Sequence, residues 1–172
     1  MKQFALLLFA LLAATAAGCD GGNDKATKTQ PPPTTTAPET TEATLERAIR
    51  TALNENRRLS VYVLWNNRIP SWAERSTRGP ALASLRVAAQ NRRERGIRVR
   101  MLEGRREIRS VRLEPSYARA TAIVVDRQRV RPSRQSGRPI GRAVVLNERA
   151  RYELRRVGRS DRFVVWRVVL LE

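Results

Sequence analysis

The chain has no histidine, a single cysteine at position 19, and only three residues each of tryptophan, tyrosine and phenylalanine in 172. Without histidine, a Ser-His-Asp triad, a Cys-His pair and a His-based metal site are all excluded. One cysteine allows no intrachain disulfide, so stability must come from the core. Phosphate-loop glycine motifs are also lacking: Gly137 and Gly141 lie among Pro, Ser and Arg in what reads as a turn region. No metal, cofactor or enzymatic activity is expected. Lysine is confined to Lys2, Lys25 and Lys28, and every basic residue from Glu46 onward is arginine.

The amino terminus is the most specific segment. Lys2 is followed by an apolar stretch from Phe4 to Ala14 and then by Thr15-Ala16-Ala17-Gly18-Cys19, the parts of a secretory signal peptide. The apolar stretch is shorter than the roughly 20 residues that span a bilayer, which argues against an anchor helix. With cysteine directly after Ala17-Gly18, the segment resembles the bacterial lipobox, although Ala16 stands where that family most often has Leu. The resemblance implies cleavage after residue 18 and acylation of Cys19 by chains such as palmitate. It implies an exported protein on the outer face of the cell membrane.

Residues 19–43 read as the lipidated cysteine and a disordered tether rich in Thr and Pro, with Pro31-Pro32-Pro33 before Thr34-Thr35-Thr36. Proline removes backbone donors, and the lack of large apolar side chains leaves nothing to offset the entropy of ordering. At ~3.1 Å per residue such a tether reaches roughly 60–70 Å from the bilayer.

Residues 44–172 are the size of one domain. Leu45, Ala48, Ile49, Ala52 and Leu53 recur at helical spacing, with Thr41 or Thr44 available as N-cap. Leu59 to Trp65 fits either further helix or a short strand, closed by Asn66-Asn67 and Pro70. A second helix is expected after Gly79-Pro80, ending at Gly96. The period then drops to two through Ile97, Val99 and Met101, through Val111 and Leu113, and through Ala118 to Val124. Gly104, Pro115 and a loop from Pro132 to Gly141 are expected to punctuate these strands. Two more strands follow, within Ala143–Val157 and Phe163–Leu171, joined across Gly158-Arg159-Ser160-Asp161. Helices first and a mostly antiparallel sheet afterwards make an α+β fold, with the helices packed on one face of a curved sheet.

This order, together with the ending Tyr152-Glu153-Leu154-Arg155-Arg156-Val157-Gly158, a turn and Phe163-Val164-Val165-Trp166-Arg167-Val168, resembles the nuclear-transport-factor-two-like superfamily, the cone-shaped, SnoaL-like fold of small polyketide cyclases. A two-layer cystatin-like sandwich gives much the same string. Enzymatic members of the cone superfamily place a carboxylate inside the cone, often with His or Tyr. The acids in the strand region here are Glu103, Glu107, Glu114, Asp126, Glu148, Glu153 and Asp161. Asp126, after Ile123-Val124-Val125, is the best candidate for a buried base. It also opens the run Arg127-Gln128-Arg129, which favours a carboxylate paired with surface arginine.

Charge is the second strong feature, with 34 Lys+Arg against 16 Asp+Glu. Arg98 and Arg100 share one strand face, Arg127, Arg129 and Arg131 another, and Arg149 and Arg151 a third. Where those strands are neighbours, the arginines merge into one positive sheet face suited to phosphate and carboxylate. An anionic lipid surface, an anionic wall polymer or an envelope protein partner would suit that face, and a solvated surface that keeps the protein soluble would look the same. Nucleic acid would fit the charge, but the lipoprotein address argues against it. Trp65 and Trp72 flank a place where a loop could close a pocket, though core packing suits them better. Trp166, among valines, reads as packing. The expected function is that of a non-enzymatic, lipid-anchored extracytoplasmic protein that presents an arginine-rich surface. The alternative is a ligand-binding or catalytic pocket inside a cone.

Overall fold

A computed structural model describes residues 41–172. The expected signal peptide, Cys19 and the expected tether up to residue 40 lie outside the described residues. Helix α1 spans Thr41–Asn66, a single 3-10 turn Ala73–Arg75, and helix α2 Gly79–Glu94. Strands β1 (Ile97–Leu113), β2 (Arg119–Arg134), β3 (Val144–Arg156) and β4 (Phe163–Leu171) follow and form one antiparallel sheet in the order β1-β2-β3-β4. The two helices pack on one face of this open, curved sheet, and both touch the edge strands β1 and β4. None of the described helices is long and apolar enough to cross a membrane.

Helix α1 is continuous through Leu59–Trp65, because its buried positions keep helical spacing: Leu45, Ile49, Ala52, Leu53, Asn56, Leu59, Ser60, Val63 and Leu64. Its stop is Asn67 at φ 52°, whose N–H bonds to the carbonyl of Val63 at 3.0 Å. Asparagine tolerates this left-handed position better than most residues. The Asn67 side chain ties three elements together, since its Nδ2 donates to the Ile97 carbonyl at 2.6 Å and its Oδ1 accepts from Arg92 Nε at 3.1 Å.

The amino-terminal half of α1 packs with Ala81 of α2 on a core of Ala120, Ala122, Val124, Ala150, Tyr152, Leu154, Phe163 and Val165. Its carboxyl-terminal half packs Leu59 and Val63 against Ala73, Leu82, Leu85 and Ala89. The segment leading into α2 covers part of the β4 edge: Val165 N–H donates to the Ser76 carbonyl at 2.8 Å and Arg78 N–H to the Val165 carbonyl at 2.9 Å. That pairing protects an apolar edge strand from other chains.

Two expectations about the strands are corrected. Gly104 does not interrupt β1. The strand runs through it, with bulges between Met101 and Glu103 and between Ile108 and Ser110. Each bulge resets which side chains face the helices. Pro132 begins no loop either: β2 continues to Arg134, with Pro132 opposite Val99.

Candidate functional site

Beneath α1 the sheet carries a buried polar cluster. The first bulge places Gly104, Arg106 and Ile108 on the inward face, opposite Gln128, Asp126 and Val124. Arg106 grips Asp126 through Nε, at 3.1 and 3.2 Å from the two carboxylate oxygens, and through Nη2 at 3.0 Å from Oδ2. The same guanidinium donates to the Leu53 carbonyl at 2.6 Å and to the Tyr152 hydroxyl at 2.8 Å. The side chains of Arg106 and Asp126 are 3% and 4% exposed. Asp126 is therefore buried, as a base candidate should be, but its partner is a buried arginine and not the surface arginine expected. Burial raises its pKa against the opposing pull of Arg106. Burial also pushes the Tyr152 hydroxyl up to about 12. Arg57 reaches over the cluster from α1, with Nη2 donating to the Gly104 carbonyl at 2.8 Å. Its pKa is lowered first by burial and then by the neighbouring Arg106 charge. Gln128 is wholly buried with neither amide atom hydrogen-bonded among the described residues. Both oxygens of Asp126 thus accept from the single guanidinium of Arg106.

The opposite, outward face of the sheet holds the arginines singled out from the sequence. The register sets Arg98 opposite Ser133, Arg100 opposite Arg131, Glu103 opposite Arg129 and Arg105 opposite Arg127. On β3, Arg149 lies opposite Val125 and Arg151 opposite Ile123. All seven expected residues thus share one face, in two groups. Arg98, Arg100, Arg127, Arg129 and Arg131 form one block, joined by Arg105, which the first bulge brings to this side. Arg149 and Arg151 sit apart, among Ile123, Val125, Val169 and Leu171. Within the block the one carboxylate is Glu103, bound to Arg129 at 2.9 Å. Arg151 has Glu153 at 3.5 Å.

At the β1 edge this block meets an open groove of about 780 Å³ between α1 and β1, lined by Arg57, Arg58, Val61, Tyr62, Trp65, Asn66, Arg100 and Met101. These α1 residues follow the helical repeat along one stripe. The Arg98 guanidinium lies 5.6 Å from the Trp65 ring centre, within cation–π range. The two tryptophans considered together from the sequence part company here. Trp65 lines the groove, while Trp72 packs edge-on against Tyr62 at 5.9 Å beside the second core cluster. Trp166 is the extra residue of a bulge in β4 opposite Glu153 and Leu154. It lies under the Arg155 guanidinium at 3.8 Å. No group of three or more acidic or cysteine side chains among the described residues is arranged to hold a metal ion. Cys19 lies outside the described residues.

No protein-family profile matches the chain, and no curated protein matches it. Among solved structures it is similar to the intermembrane space region of the chloroplast protein ARC6, with a TM-score of 0.61 and 12% identity over 73% of this chain and 95% of that one. At that identity the likeness is one of fold: helices on a curved antiparallel sheet.

Proposed function

We propose that this protein is an exported, lipid-anchored binding module that works without catalysis. Cys19 carries the lipid, residues 20–40 space the domain from the membrane, and the outward sheet face engages anionic components of the envelope. The fold belongs, on this reading, with the cone-shaped superfamily that the sequence resembles. The observation that carries the function is the pair of like-charge contacts in the sheet register, Arg100 opposite Arg131 and Arg105 opposite Arg127. Like charges directly across a strand pair destabilise the free sheet. An anionic phosphate or carboxylate bridging two guanidinium groups turns that cost into binding energy. The inward cluster favours this reading over catalysis, because Asp126, the candidate base, already accepts from the Arg106 guanidinium at both carboxylate oxygens.

The test is co-sedimentation of residues 24–172 with phosphatidylglycerol or phosphatidylcholine vesicles, and with isolated wall polymer, across a salt series. Binding to the anionic targets only, weakening steeply with salt and with Arg127→Gln and Arg129→Gln, is the expected result. Binding indifferent to salt and to both substitutions would remove the face from the mechanism.

A further inference from the structure

The groove between α1 and β1 has a composition of its own. Its lining pairs the rings of Tyr62 and Trp65 and the side chains of Val61 and Met101 with Arg57, Arg58 and Arg100, and it contains no carboxylate. Elsewhere several exposed arginines find an acid: Arg50 with Glu46, Arg86 with Glu74, Arg109 with Glu107, Arg129 with Glu103. The side chains of Arg58 and Arg100 have no hydrogen bond or ion pair among the described residues. Tryptophan, tyrosine and arginine are the residues that carry most binding energy at protein interfaces, and methionine is enriched there. The rings are walls and do not protrude. Tyr62 is fixed by its edge contact with Trp72 and by a hydrogen bond from Arg68 Nε to its hydroxyl at 3.0 Å, while Arg98 lies over Trp65. A flat membrane surface does not enter such a groove, and a polypeptide side chain does.

We infer that this groove docks an acidic peptide segment of a partner protein. One large apolar side chain of the segment lies between Tyr62 and Trp65, and flanking carboxylates meet Arg58 and Arg100. Recognition is by side chains, because the β1 edge is poorly suited to adding a strand: it is bulged between Met101 and Glu103, and Asn67, just after α1, and Arg57 of α1 already bind its Ile97 and Gly104 carbonyls. The inference rests on the reading of the protein as a binding module, but, Arg100 apart, on residues distinct from those of the sheet face that the vesicle test probes.

The experiment pans a random peptide library on the full chain, purified in neutral detergent, and measures affinities by fluorescence polarisation. Enriched peptides are expected to be acidic around one aromatic or aliphatic residue, and to lose at least about tenfold in affinity when that residue becomes serine. Trp65→Ala and Arg58→Gln are expected to cost as much, whereas Arg127→Gln and Arg129→Gln leave these affinities within about twofold. Arg58 is exposed, so its variant reports on binding even if the Trp65 change disturbs folding. Three results would each overturn the inference: no enrichment of acidic, anchored sequences; peptide binding that survives both groove variants; or a Trp65-dependent attachment to phosphatidylglycerol vesicles without peptide binding, which would assign the groove to lipid.

Discussion

Arg106 and Asp126 place two charges where neither would be tolerated alone. Removing one partner of a buried pair typically costs about 3–5 kcal/mol, because the other is left without compensation. Here the pair is joined by a third group, Tyr152, whose hydroxyl accepts from Arg106 and whose pKa stands at about 12. A raised folded-state value means that the unfolded chain gives up this proton first. The stability associated with neutral Tyr152 is therefore complete below its ordinary value of about 10 and is lost as pH rises through about 12. The slope is about 1.4 kcal/mol per pH unit over that window. Tyr152→Phe is expected to cost about 1 kcal/mol at neutral pH, where Arg106 loses an acceptor. It is also expected to flatten the alkaline limb. Urea unfolding midpoints of both proteins between neutral pH and about pH 12 check this, and parallel alkaline limbs would show that another group controls the loss.

Within the elements, the start of α2 shows how one residue serves two layers. Gly79 has φ +55°, and a Cβ there would lie 2.8 Å from carbons of the Trp166 ring. Gly79→Ala therefore meets two penalties, about 1–2 kcal/mol for the left-handed backbone and the displacement of Trp166 from its place under Arg155. A loss of roughly 2–4 kcal/mol is expected, seen as an earlier thermal transition and altered tryptophan fluorescence; Gly137→Ala, whose Cβ meets nothing within 4 Å, lacks the collision and should cost less. From the sequence, Gly79-Pro80 reads as a helix start, and it is one, but nothing local announces the ring above it. The same boundary governs what was legible elsewhere. Helix α1 and the ends of β3 and β4 follow from apolar spacing, which is a local property. The inward turn of Arg106 follows from a bulge, and in a run as rich in arginine as Arg105-Arg106-Glu107-Ile108-Arg109 it resembles a surface strand. The available signal was its phase: Gly104, Arg106 and Ile108 alternate together. Arg58 and Tyr62 of the groove were missed because helical spacing alone does not reveal that one stripe of α1 is left uncovered beside β1.

Across the whole molecule, a net charge of +18 admits two accounts, arginine as solvation and composition or arginine as a working surface, and a charge reversal chosen from the sheet register tests between them. If the outward arginines only keep the protein soluble, reversing one should weaken nothing but solubility. If they form a binding face maintained at the expense of the free fold, the same change should improve stability and damage binding together. Arg127 lies opposite Arg105 on one side and Asn147 on the other, so Arg127→Glu replaces a repulsive cross-strand contact with an attractive one. The free domain is expected to gain about 0.2–1 kcal/mol from that exchange, read from its denaturant midpoint at low salt and shrinking as salt is added. Attachment to anionic vesicles or wall polymer should fall in the same variant by more than in Arg127→Gln, because the new carboxylate repels the partner that the guanidinium attracted. A variant that is stabilised and still binds at full strength would mean that the block spanning Arg98 to Arg105 and Arg127 to Arg131 is not where the anion sits. The search would then move to Arg149 and Arg151, where arginine alternates with Ile123, Val125, Val169 and Leu171 and an amphiphilic partner would be the better match.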